Sequence, residues 1–447
     1  MTDATAQSFI DTFERERNSL PGAGGWLAAR REAAIRELAD AGLPHRRLED
    51  WKYTDLRAVL EKAAFVPAPV HHGAVLLSDE ETRGGAALFH AIDRYKLVFV
   101  NGRLNHALSG MAGLPAGVTL QPLADVLDED WTKALIERRF DTNPQAQSIA
   151  ALNTALMADG VALRIAEGMA LDKPLHLIFL AADTGASHTR SLIRMEKGAR
   201  ATIFETHASA GASRYFVDLV TEISLGEGAR LDHIKLQDEA EEAVHLATMR
   251  AALSAKAKLD SFTLIVGGGV SRDQTFVEFE GDEAEAHVNG AYALRGKQHA
   301  DQFCVVDHAV PGCSSHTHFK GVLDDASEGV FQGKVIVRPD AQKTDGRQMT
   351  NALLLSRDAA MNAKPELEIY ADDVQCAHGS TIGELDKDAL FYLRSRGIDE
   401  MTARQLLISA FLDEALDYAP HEAARAELKE LVAGWFAAGS LSLEDLS

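Results

Sequence analysis

A chain of 447 residues, 46% hydrophobic and 25% charged, can bury a large core, can hold more than one folded unit, and has the balance of a globular protein. A net charge of −22 argues against a nucleic-acid binder, which needs a basic stripe, and against docking on an anionic membrane surface. The three cysteines, Cys304, Cys313 and Cys376, form no Cys-x-x-Cys pair, so neither a disulfide framework nor a zinc ribbon is expected and a reducing cytoplasm is the natural compartment.

The N-terminus has no basic segment leading into an apolar run, so no signal peptide is expected. Residues 5–57 are helix-like and charged. Within them 28–41, with Ile35 and Leu38 at helical spacing, read as an amphipathic helix. Residues 46–55 set Trp51 and Tyr53 among charges and read as a packed helix-to-loop junction. The stretch 65–158 is mixed, with a short apolar run at 96–100 ended by the Asn101-Gly102 turn. The run 175–182, interrupted by His176, is too short to span a bilayer.

From about residue 163 to 381 short alternating strands dominate, among them 216–223 and 276–280. Four segments align: Gly198-Ala199-Arg200-Ala201, Gly228-Ala229-Arg230-Leu231, Lys256-Ala257-Lys258-Leu259 and Glu283-Ala284-Glu285-Ala286. Their alanines recur roughly every 27 to 30 residues, a period that signals a solenoid. A β-sandwich of regularly spaced hairpins is the competing reading; the scarcity of Asn-Gly turns favours stacked coils. Gly267-Gly268-Gly269 read as one solenoid turn. The sequence holds no phosphate loop of the correct glycine spacing and no Gly-x-Ser-x-Gly elbow, so a self-contained ATPase, dehydrogenase or serine hydrolase is not expected.

Two polar clusters carry candidate chemistry. Asp307, His308, Cys313, His316 and His318 offer zinc or iron ligands, but hydrogen-bonded loop residues are the favoured reading. The turn 343–348 reads as a tight connection made by Asp345-Gly346. Residues 366–379 begin as a strand, and if it continues Cys376 and His378 share a face. A thiolate beside an imidazole suits iron or an iron–sulfur unit, with the remaining ligands drawn from a partner or from sulfide. A buried cysteine with a hydrogen-bonded histidine is the alternative.

The C-terminal zone is helical. Asp386 is a candidate N-cap for 387–396, with Gly397 placed as its C′ glycine, and Asp399 for a helix to about 418. That helix is expected to bury Ala403, Leu406, Leu407, Ala410, Phe411 and Ala415. Pro420 then admits a third helix over 421–438.

The run Lys364-Pro365-Glu366-Leu367-Glu368-Ile369-Tyr370, continuing to Cys376-Ala377-His378-Gly379, resembles the signature of the SufB/SufD family. So do 390–398, 341–345, 320–323 with 329–334, and 49–54. The match is dense over about 307–411 and collinear elsewhere. The stretches 376–383 and 391–397 fit the SufD version of the motifs. This resemblance implies a mainly β chain with α: a right-handed parallel β-helix over 161–382, between an N-terminal helical and mixed region, 1–160, and a C-terminal helical domain, 383–447. It further implies a non-catalytic scaffold for iron–sulfur cluster assembly, paired with SufB through the solenoid end and bound to SufC, the partner that hydrolyses ATP. The family's cluster-site histidine maps onto His378, with Cys376 beside it. A nascent cluster shared transiently with SufB is then the expected cargo, with nothing tightly bound in the isolated chain. Docking of SufC falls to the helices around Asp386, Phe391, Tyr392, Arg394 and Arg396. No nucleic-acid or membrane partner is implied, and the isolated chain is expected to self-pair. Two other readings compete: a structural homodimer without ligand chemistry, and a secreted-type β-helix enzyme acting on polysaccharide, which the N-terminus opposes.

Overall fold

Two strands and two tight corners make each coil. The computed structural model describes residues 4–61, 88–138, 144–211 and 213–439, so the part of the mixed stretch at 65–87 lies outside the described residues. One corner falls at Gly198, Gly228, Lys256, Glu283, Gly312 and Lys343 in successive coils, each with φ between 58° and 73°. The residue after it is buried and stacks on its equivalents: Ala199, Ala229, Ala257, Ala284, then Cys313 and Thr344. The repeat is therefore a stack of coils and not a sandwich. At the opposite corner a Cβ on Gly267 would lie 2.3 Å from the backbone nitrogen of Glu239, so no side chain fits there.

One wall of the solenoid holds the strands Leu175–Ala181, Arg200–Ser209, Arg230–Asp238, Lys258–Ile265, Glu285–Leu294, Ser314–Leu323, Asp345–Leu354 and Gln375–Gly383. The other holds Val161–Ile165, Gly185–Met195, Tyr215–Leu225, Val244–Leu253, Val270–Phe279, His299–His308, Glu328–Val337 and Ala360–Ile369. Neighbours within each wall pair in parallel. Leu231, Leu259, Ala286 and Phe319 from one wall meet Leu219, Ala251, Val277 and Val306 from the other in the lumen. At the N-terminal end antiparallel strands close the stack. Val118–Pro122 pairs with Val161–Ile165, and Tyr95–Val100 turns back on Arg103–Leu104 through Asn101 and Gly102, both at positive φ. At the far end Ala360–Ile369 and Gln375–Gly383 each have, among the described residues, a strand on one side only.

Helices clad both walls. On one side lie α1 (Ala4–Glu16), α2 (Trp26–Ala41), α3 (Leu56–Glu61), α4 (Asp130–Glu137) and α5 (Pro144–Leu156). Phe9, Phe13, Ile35 and Leu38 pack with Phe216, Val244 and Leu246 on the outer face. Buried Arg31 of α2 donates to the carbonyls of Ala155 and Met157 at 2.7 and 2.8 Å, tying α2 to the end of α5. The junction at 46–55 is packed: Arg272 lies 3.8 Å over the fully buried Trp51 ring, pairs with Asp301, and donates to the Asp50 carbonyl at 2.6 Å.

On the opposite wall lie α6 (Lys387–Ser395), α7 (Glu400–Leu416) and α8 (Glu422–Gly439). Asp386 accepts from the backbone of Asp388 and Ala389, Asp399 accepts from Thr402, and Gly397 ends α6 at φ 86°. The buried face of α7 differs from the one expected. It comprises Ala403, Ile408, Leu412, Ala415 and Leu416, while Leu406 is 49% exposed. The helix is apolar nearly all round, so the wall it meets, at Ile234, Phe262 and Val322, selects the face. The turn at 343–348 also differs: Lys343 supplies the positive φ, and Asp345-Gly346 opens the next strand. No helix among the described residues is long and apolar enough to cross a membrane.

Candidate cluster site at the open end of the solenoid

The last coil is where inward-facing side chains have no further coil above them. Cys376 stands in register with Gly346 and His378 with Gln348. Gln348 is buried, whereas His378, one rung further out, is exposed. Strand alternation puts Cys376 and His378 on the same face, the one that looks into the lumen. The sequence predicts this shared face, and the strand Gln375–Gly383 carries it.

Cys376 is half-buried among Val335, Val337, Ala341, Leu367, Ala371 and Val374. Burial raises its thiol above the ordinary range; a backbone hydrogen bond from Gly346 acts the other way, and the Asp345 carboxylate adds to the rise. A metal ion would have to displace the thiol proton to gain this ligand. Gly346 leaves the space beneath: a Cβ there would lie 3.5 Å from the Cys376 sulfur and 3.2 Å from Val335.

Around this mouth are exposed apolar side chains that sequence patterns alone do not single out. Tyr370 is 60% exposed, Ile382 47% and Ile369 41%. Ile369 and Ile382 stand in register with buried Val337 and Ala352, so they hold lumen positions that the last coil leaves uncovered, and Tyr370 follows directly on the strand. Pro365 lies in the strand Ala360–Ile369, a position that an edge strand tolerates and a central one does not.

The five residues expected to bind a partner lie apart from this mouth, on and around α6. Asp386 caps the helix. Phe391 is 74% and Tyr392 57% exposed, and α6 buries no residue at all. Arg396 lies 5.1 Å from the Tyr392 ring, and Arg394 pairs with Glu400 of α7 at 3.1 Å.

The other histidine cluster is dispersed. His308 faces the lumen and meets Ser315 at 2.8 Å; Cys313 continues the buried alanine column. His316 and His318 face outward beneath Tyr418, and Asp307 pairs with Arg338 at 2.7 Å. These residues are hydrogen-bonded or packed, each in its own place.

The family model described as "SUF system FeS cluster assembly, SufBD core domain" matches residues 178–411, and that described as "SufBD protein N-terminal region" matches residues 3–177. A SufBD-family iron–sulfur cluster assembly protein of Synechocystis is 31% identical, over 91% of this chain and 90% of its own. The iron–sulfur cluster assembly protein SufD of Escherichia coli is 30% identical over 85% of this chain and 86% of its own. The chloroplastic protein ABCI7 of Arabidopsis thaliana is 26% identical over 97% of this chain and 91% of its own. With both family regions matched in order along a parallel solenoid, the chain belongs to the SufB/SufD family of iron–sulfur cluster assembly proteins, as a SufD-type member.

Proposed function

We propose that this chain is a scaffold subunit that pairs with SufB through its terminal coil, holds a nascent iron–sulfur cluster at that junction, and docks the ATPase SufC on α6 and α7. The cluster is cargo on this reading, and the chain itself carries no catalysis; its compartment is the cytoplasm. The supporting observation is the terminal coil: two one-sided edge strands, an exposed apolar rim, and Cys376 and His378 side by side at the lumen mouth. Unpaired strand edges are a standing invitation to pair with another chain. A SufB coil stacked there would cover His378 and supply further ligands.

The α6 surface supports the second contact. Burying a large side chain such as Phe391 contributes about 1.5–3 kcal/mol. A helix that leaves both Phe391 and Tyr392 in water has that free energy available to a partner. Hydrolysis of ATP in SufC would then move the helix pair and strain the coil junction.

The test is anaerobic reconstitution with iron and sulfide of the complex with SufB and SufC, comparing wild type with His378→Ala. The variant should assemble the complex normally and lose most of the iron–sulfur absorbance. An unchanged cluster yield would remove His378 from the site, and a homodimer alone, with no chromophore on adding SufB, would favour a purely structural role.

A further inference from the structure

The lumen is not apolar throughout. Near its N-terminal half, inward positions hold Glu205, His207, His233, Lys235, His245 and Asp273, and Glu239 reaches in from a corner; all are buried. Such groups are costly unless partnered. His207 Nε2 lies 2.8 Å from Glu205 Oε1, and His245 Nδ1 lies 2.8 Å from Glu239 Oε2. Lys235 Nζ lies 2.9 Å from His245 Nε2 and 2.5 Å from Asp273 Oδ1. Three buried imidazole nitrogens find no hydrogen-bond partner among the described residues: Nδ1 of His207, and Nε2 of His233 and Nδ1 of His245, which lie near Glu205 and Glu239 without hydrogen-bond geometry.

The hydrogen bond to Glu205 fixes the state of Nδ1 of His207. Glu205 can only accept from Nε2–H, so Nδ1 of a neutral His207 carries a free lone pair. A carboxylate behind the imidazole is the arrangement that orients metal-bound histidines and raises their basicity. One ligand atom each from His207, Glu239 and His245 lie within 4.8 Å of one another, and a small cavity lined by Asn101, Asp183 and Tyr215 adjoins them.

We infer that His207, Glu239 and His245 form a site in the lumen for a divalent transition-metal ion, with the remaining coordination positions facing that cavity. Two imidazoles and one carboxylate are a borderline donor set, suited to Zn²⁺ or Fe²⁺. On binding, the His245 proton shifts from Nδ1 to Nε2, which frees Nδ1 for the ion and leaves Lys235 to Asp273 alone. The site is separate from the open end: six strand spacings of ~4.8 Å put it roughly 29 Å from the strand of His378.

The full chain carrying Cys376→Ser and His378→Ala, which removes the terminal ligands, is titrated with Zn²⁺ alone and, anaerobically, with Fe²⁺ alone. One equivalent should bind, and Zn²⁺ should raise the melting midpoint. His207→Gln should weaken binding at least 100-fold, and Glu205→Gln, acting through His207, by roughly 10–100-fold. Should His207→Gln not fold, Co²⁺ in the parent chain replaces it: a visible ligand-field spectrum without a thiolate charge-transfer band places the ion on nitrogen and oxygen. No stoichiometric binding, equal binding by His207→Gln, or a thiolate band would each overturn the site.

Discussion

Depth in the solenoid decides what each cysteine can do. Cys304 lies in the lumen, and burial pushes its thiol up to about 12; Cys313, in the alanine column, is raised by burial too. Only Cys376, at the mouth, is partly open to solvent. A thiol reagent should therefore modify Cys376 in the native chain and reach Cys304 only on unfolding. Equal labelling of both in the native chain, read by peptide mass spectrometry, would contradict this placement. His308 gives a pH signature. Burial lowers its imidazole from the ordinary 6.5 to about 4, with Asp345 acting weakly in the other direction. The unfolded chain thus binds the proton first as pH falls. Stability is unaffected above the unfolded value, drops as pH falls from about 6.5 towards about 4, and the loss reaches on the order of 3 kcal/mol below that. Urea unfolding at neutral pH and near pH 5 should show His308→Gln less acid-sensitive than wild type; an identical pH dependence would refute it. The pair Cys376 and His378 is legible in the sequence because two residues apart on a strand is a local rule. His207, Glu239 and His245 are not legible, since they meet only through coil register, and coil length varies by a few residues from one turn to the next.

Elements were legible in proportion to how local their signals are. The caps at Asp386 and Asp399 and the glycine at 397 mark α6 and α7 directly, because each acts on backbone within one turn. The face of α7 does not follow, because Leu406, Leu407, Ile408, Phe411 and Leu412 offer apolar surface in every direction and the solenoid wall chooses among them. The alanine repeat fades at Cys313 and Thr344 although the coil continues, since any small or compact residue fills that column. Glycines inside strands record close packing between coils. A Cβ on Gly321 would lie 2.0 Å from the Tyr292 ring, which is fully buried. Gly321→Ala should destabilise the chain by about 1–3 kcal/mol, the usual cost of overpacking a core. An unchanged urea midpoint would mean that Tyr292 has room to move.

The molecule as a whole is asymmetric along the solenoid axis. Antiparallel strands close one end, helices cover both walls, and the last coil remains one-sided. Strand direction at the closed end is not written in composition or period, so the sequence identifies a stack of coils without saying which end is finished. The open end carries the candidate cluster residues, and pairing there is the step on which the proposed scaffold role depends. Hydrogen exchange tests it most directly. In the isolated chain, diluted to disfavour self-pairing, the outward amides of Gln375–Gly383 and Ala360–Ile369 should exchange fast. On mixing with SufB they should slow towards the rate of the interior strand Ser314–Leu323. Exchange at those two segments that SufB leaves untouched would contradict the terminal coil as the docking surface.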